Sequence, residues 1–260
     1  MNAANQPAED HWAELRLTTQ ARIGLGRAGN SLPSRRVLEF KAAHSAARDA
    51  VHEPLDIEDL TRQISDLDIE PALHVQSQAD SRSEYLRRPD LGRQPADLSH
   101  LPDTGADLAI VLADGLSPRA LADHGRGLLQ ALLDTLGERY SLAPPVIATQ
   151  ARVALGDHIG EALRAQTMIM VIGERPGLSV ADSLGIYLTH LPQAGRHDAD
   201  RNCISNIHPP DGLDYTTAAA ITAALVDGAR KLGRSGVTLK DTSRGELTDS
   251  DARILDGQMK

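Results

Sequence analysis

The side chains able to do chemistry are few and widely spaced. The only cysteine, Cys203, stands among polar residues in R-N-C-I-S-N-I-H-P, residues 201–209. A thiol acts as a nucleophile when a base sits beside it, and otherwise serves as a small packing group. No partner base for Cys203 can be named, so the packing reading is preferred. Glu174, in G-E-R-P-G, either accepts hydrogen bonds from amide or hydroxyl donors or is an exposed turn carboxylate. D-G-L-S at 114–117 looks like a catalytic turn, but Ser117 followed by Pro118 fits a helix start better.

Other chemistries lack their residues. No histidines fall at metal-ligand spacing on a helix and there is no C-x-x-C, so no dedicated metal site is expected. G-x-S-x-G and the P-loop are missing. G-x-G-x-x-G does occur, at Gly24, Gly26 and Gly29. It lacks the apolar strand before it, the helix opening within it and the acidic residue ending a second strand, so a loop is expected. A D-x-H-x-x-G pattern, which would set up a histidine as a ligand, is also missing, because Asp123-His124 and Asp157-His158 have no intervening residue.

The elements that must position these groups are clearest in the second half. Residues 108–113, 146–149 and 168–172 are apolar runs bounded by polar or Gly/Pro turns, which read as buried strands. A leucine-rich helix begins at Ser117, a short one spans about 157–165, and an alanine-rich one spans 215–232. Strand–helix alternation predicts an α/β fold, a Rossmann-like three-layer parallel sheet, with residues 106–260 as one domain. Residues 184–188 form a further apolar run, 237–239 a final short strand, and Cys203 lies in a polar loop. In such sheets ligands bind outside the carboxyl ends of the strands. That edge carries Asp114, residues 150–153, residues 173–177 and the Cys203 loop.

The first half reads differently. Val37, Phe40, His44, Ala47 and Val51 share one helical face, and Ile57, Leu60, Ile64 and Leu67 share another. His44 is expected to be a packing residue. Residues 1–105 are expected to form a helical arm, either a small helical domain or a device that docks on a partner chain, with 72–106 as an irregular connector. S-E-Y-L-R-R-P-D-L-G-R within it is specific enough to pack on something. Residues 1–12 are expected to fray, and the charged tail after Asp241 to be mobile.

Composition narrows the function. Of 260 residues, 41% are hydrophobic but only one Trp, four Tyr and one Phe are aromatic, so the core must be aliphatic. A net charge of −9 opposes nucleic-acid binding. One cysteine points to a reducing compartment. No long apolar span and no basic-then-apolar leader appear, so a soluble, cytoplasmic protein is expected.

Several stretches together resemble the small (light) subunit of ethanolamine ammonia-lyase. They are D-L-A-I-V-L-A-D-G-L-S at 107–117, Q-A-R-V-A-L-G-D at 150–157, I-G-E-R-P-G-L-S at 172–179, D-S-L-G-I-Y-L-T at 182–189, R-N-C-I-S-N-I-H-P at 201–209 and S-G-V-T-L-K-D at 235–241. A-R-I-G-L-G-R-A-G-N-S-L-P and E-F-K-A-A-H-S-A-A-R-D-A-V extend the likeness into the first half, so that it covers most of 15–241. The resemblance implies a heteromeric ammonia-lyase that converts ethanolamine to acetaldehyde and ammonia by adenosylcobalamin-dependent radical chemistry. The catalytic residues belong to the large subunit, and the cofactor lies between the two subunits. The implied cobalamin contacts are Val153, Glu174 and Cys203, with no cobalt ligation by Cys203 and the cofactor keeping its own benzimidazole. Enclosure in a bacterial microcompartment is left open, as are two other classes: a stand-alone nucleotide-binding α/β enzyme and a structural adaptor that never touches cofactor.

Overall fold

A computed structural model describes residues 10–241. The stretches before and after, including most of both expected tails, lie outside the described residues. In chain order the elements are α1 (Ala13–Leu17), α2 (Ser34–His52), α3 (Ile57–Ile64), β1 (Leu73–Gln76), α4 (Arg82–Arg87), β2 (Leu108–Ala113), α5 (Pro118–Leu136), β3 (Val146–Thr149), α6 (Leu155–Ala162), β4 (Thr167–Gly173), β5 (Leu184–His190), β6 (Asn202–Ile207) and α7 (Tyr215–Leu232).

The strands form one six-stranded sheet in the order β1-β3-β2-β4-β5-β6. β1, β3, β2 and β4 run parallel, whereas β5 and β6 are added antiparallel. The sheet is therefore mixed, which corrects the expectation of a fully parallel Rossmann-like sheet. The reason is chain length. Only residues 174–183 separate β4 from β5, and a parallel return needs a crossover of a dozen or more residues. With so short a link the chain turns back, pairing Gly173 with Leu184.

Strand side chains alternate between two faces. Leu108, Ile110 and Leu112 join a cluster with Leu60 and Ile64 of α3, the leucines of α5 and the alanines of α7. Ala109, Val111 and Ala113 join another with Leu155 and Ile159 of α6. Burial on both sides explains why β2 and β4 read as unbroken apolar runs. α5 starts where the sequence placed it. The Ser117 hydroxyl accepts from the Ala120 N–H at 3.2 Å and donates to the Ala181 carbonyl at 2.9 Å.

Four further expectations are corrected. The connector over 72–106 is not irregular throughout: Leu73–Gln76 is an edge strand, and Tyr85 of α4 is fully buried. Cys203 is not in a loop but in β6, an edge strand of which one face is exposed. Residues 237–239 form no strand, because the Asn202 side chain bonds this segment at Gly236 and Leu239 instead of a ladder doing so. Gly24, Gly26 and Gly29 lie in a loop, all with positive φ. In α2 only Ala50 is buried, and His44 is exposed, which corrects its expected place as a packing residue. No helix among the described residues is long and apolar enough to cross a membrane.

Candidate functional site

The carboxyl ends of β2, β3 and β4 meet at one edge of the sheet. Asp114, just past β2, organises that edge. Its buried carboxylate accepts the N–H of Gln150 at 2.8 Å and of Ala151 at 3.0 Å, and lies 3.5 Å from the Arg82 guanidinium. The turn after β3 is thereby tied to the turn after β2. Burial pushes the Asp114 carboxyl up to about 6, against the opposing pull of Arg82 and the two amides. Gln150 has a φ of 52°, a left-handed conformation that these bonds help to hold. Gly173 is required on the neighbouring strand: a Cβ there would lie 2.1 Å from the Ser117 carbonyl.

Arg82 also donates to the carbonyls of Val51 at 2.7 Å and Gly115 at 2.8 Å. Tyr85, three residues on, donates its hydroxyl to the Ala151 carbonyl at 2.9 Å. Two guanidiniums lie over its ring, Arg82 at 4.7 Å and Arg152 at 4.4 Å. Burial, and then Asp114, hold the Tyr85 hydroxyl above its ordinary pKa.

These groups wall a pocket of about 450 Å³ whose lining includes Tyr85, Arg152, Val153, Ile172, Glu174 and Tyr187. Val153 brings a half-buried apolar side chain from the turn before α6. Glu174 leaves the end of β4 and reaches across to the antiparallel strands. Its Oε2 accepts from the Ser183 hydroxyl at 2.7 Å and from the Asn206 N–H at 3.2 Å. Its Oε1 lies over Gly185, where a Cβ would stand 3.0 Å away. One carboxylate oxygen is thus committed to the fold and the other is left to accept from a ligand.

Cys203 does not line this pocket. It pairs with Tyr187 across β5 and β6, and Tyr187 is the link to the other residues. Burial raises the Cys203 thiol above its ordinary pKa, against the lowering effect of its contact with the Tyr187 hydroxyl. Burial and then Cys203 push the Tyr187 hydroxyl up to about 12. The thiol is therefore protonated at neutral pH, which suits contact rather than nucleophilic attack. Among the described residues no group of three or more His, Cys, Asp or Glu is arranged to hold a metal ion.

Val153 and Glu174 thus share one concavity, and Cys203 joins it through Tyr187. Sequence reasoning did not single out Arg82, Tyr85, Arg152 or Tyr187. The signal for Tyr85 was its place in the specific S-E-Y-L-R-R stretch, and Arg152 and Tyr187 sit inside motifs already quoted. A larger cavity, about 650 Å³, opens at the amino ends of the strands among Asp68, Glu70, Asp134 and Glu138. It holds none of the residues that the sequence pointed to, and the carboxyl-edge pocket is the better candidate.

The residues suit one part of a large amide-fringed ligand such as a corrinoid. They supply an apolar contact, a free carboxylate oxygen, and a guanidinium whose Nε is buried without a partner.

Comparison with known proteins gives the family. The family model described as ethanolamine ammonia-lyase light chain (EutC) matches residues 9–240. The chain is 65% identical to the ethanolamine ammonia-lyase small subunit of Rhodococcus erythropolis, over 96% of this chain and 97% of that protein. It is 46% identical to the small subunit from Xanthomonas campestris pv. campestris strain B100, over 96% and 95%. It is 45% identical to that from Pseudomonas fluorescens strain Pf0-1, over 94% and 92%. With a family model spanning nearly its whole length and relatives this similar from end to end, the chain belongs to the ethanolamine ammonia-lyase light-chain family.

Proposed function

We propose that this chain is the small subunit of an adenosylcobalamin-dependent ethanolamine ammonia-lyase, which converts ethanolamine to acetaldehyde and ammonia. The radical chemistry belongs to the bound cofactor, and the residues that handle substrate belong to the large subunit. This chain contributes a wall of the cofactor site through Val153, Glu174 and Cys203. Val153 gives apolar contact, the free Glu174 oxygen accepts from amide or hydroxyl donors, and Cys203 with Tyr187 allows close approach. The complex works in the cytoplasm, either free or within a bacterial microcompartment.

The observation that carries this reading is the gathering of these residues on a sheet face that no helix among the described residues covers at β5 and β6. The test uses the complex assembled with the large subunit. Glu174→Ala should weaken adenosylcobalamin binding about tenfold while the subunits still co-purify. Glu174→Gln, which keeps the shape, should weaken it less. Unchanged cofactor affinity in both would instead support an adaptor, and turnover by the lone chain would support a stand-alone enzyme.

Residues 1–105 are proposed to dock on the large subunit. The support is α2, where Leu38 is 66% and Phe40 45% exposed. With Ala50 its only buried residue, α2 leaves most of its surface open to a partner. Leu38→Asp with Phe40→Asp should leave the lone chain folded by circular dichroism and weaken its co-purification with the large subunit. Undiminished co-purification would remove α2 from the interface.

A further inference from the structure

Arg152 lines the pocket beside Val153 with its charge unanswered. Its Nε is buried without an acceptor, and no carboxylate among the described residues pairs with it. Two neighbouring charged groups are turned to other partners. Arg82 faces Asp114, and Glu174 is turned toward Ser183 and Asn206. The Arg152 stem is held in place. Its backbone N–H donates to the Gly92 carbonyl at 2.8 Å, and its guanidinium lies 4.4 Å over the Tyr85 ring. Gly92 leaves room for it, since a Cβ there would come within 2.9 Å of Arg152 Cγ. The result is a fixed guanidinium at a pocket whose one lining carboxylate, Glu174, pairs with Ser183 and Asn206 and not with it. A partly buried charge of this kind is unfavourable unless something pairs with it.

We propose that Arg152 receives the phosphodiester of the cofactor's nucleotide loop, an inference that rests on the corrinoid reading above. The side-chain amides of a corrinoid are neutral, and the phosphodiester is the only ionised group on its periphery. A guanidinium matches two phosphate oxygens at once, which a neutral amide contact does not require. Arg152 is thus a binding residue that tells a complete cobalamin from one lacking its loop.

The experiment measures dissociation constants by equilibrium dialysis on the complex assembled with the large subunit. The ligands are adenosylcobalamin and adenosylcobinamide, which ends at the aminopropanol hydroxyl and carries no phosphodiester. Arg152→Gln should weaken adenosylcobalamin about ten- to a hundred-fold and leave adenosylcobinamide within about twofold of wild type. Arg152→Lys, which keeps the charge but loses the fork, should recover part of the loss. Equal weakening of both ligands, or of neither, overturns the proposal. Val153→Trp, which fills the pocket, keeps the underlying reading separately testable. If that variant binds both corrinoids normally, the pocket is no corrinoid site and the proposal falls with it. If it binds neither and Arg152→Gln shows no discrimination, only the phosphate assignment fails.

Discussion

The two faces of the sheet are unequally covered. One is roofed across its width by α3, α5 and α7, which bury Leu184, Ile186, Leu188, Ile204 and Ile207 of the antiparallel strands. On the other, α6 covers the parallel strands and leaves Tyr187 half-buried and Cys203 exposed. The closed face explains why the chain folds. The open face carries Val153, Glu174 and Tyr187, of which Glu174 also braces the fold through Ser183 and Asn206. The proposed cofactor wall lies along the boundary between the covered and the uncovered strands.

This contrast can be broken at its one strut. On the open face, Arg201 at the start of β6 pairs with Asp157 of α6, with both side chains nearly inaccessible at 2% and 1%. Arg201→Met should cost about 3–5 kcal/mol in denaturant unfolding, because it strands a buried carboxylate. Adding Asp157→Leu should restore most of the loss, since an apolar pair of similar volume needs no desolvation. A smaller but still large effect belongs to the closed face. Leu128→Ala, at a fully buried position, should cost about 2–5 kcal/mol and leave cofactor affinity per folded complex unchanged. The smallest belongs to the exposed rim. Cys203→Ala should change stability by less than about 0.5 kcal/mol, with any effect appearing in cofactor binding. If Leu128→Ala changed affinity and Cys203→Ala changed stability, the division of labour between the faces would be refuted.

How much was legible in the sequence follows the same division. β2, α5 and α7 are covered on all the sides that matter, so their residues are almost uniformly apolar or helix-forming, and their limits could be read directly. β6 is an edge strand buried on one face only. Ile204 and Ile207 point inward while Cys203, Ser205 and Asn206 point out, so N-C-I-S-N-I reads as a polar loop. β1, L-H-V-Q, fails for the same reason and because it is short. The direction of β5 was readable from the ten-residue link before it, though apolar content alone says nothing about direction. For the site, residue types placed Val153 and Glu174 at one edge. Their common neighbours Tyr85 and Arg152 needed the fold, because the contact of the Arg152 guanidinium with the Tyr85 ring joins positions 67 residues apart in the chain.

The hydrogen bond from the Asn206 N–H to Glu174 has a consequence for the subunit before it finds its companion. β6 borders the sheet, and a bare border offers unpaired amides that template the addition of a foreign strand. Here the Asn206 amide is taken by Glu174, and its carbonyl by the Leu213 N–H at 2.8 Å. The register also slips between Leu184 and Ile186, and Asn206 itself adopts a φ of 63°. Such a twisted, already-satisfied margin is a poor template for aggregation. The carboxylate proposed to meet the cofactor therefore also helps to keep a newly made, unpartnered chain from sticking to its own kind.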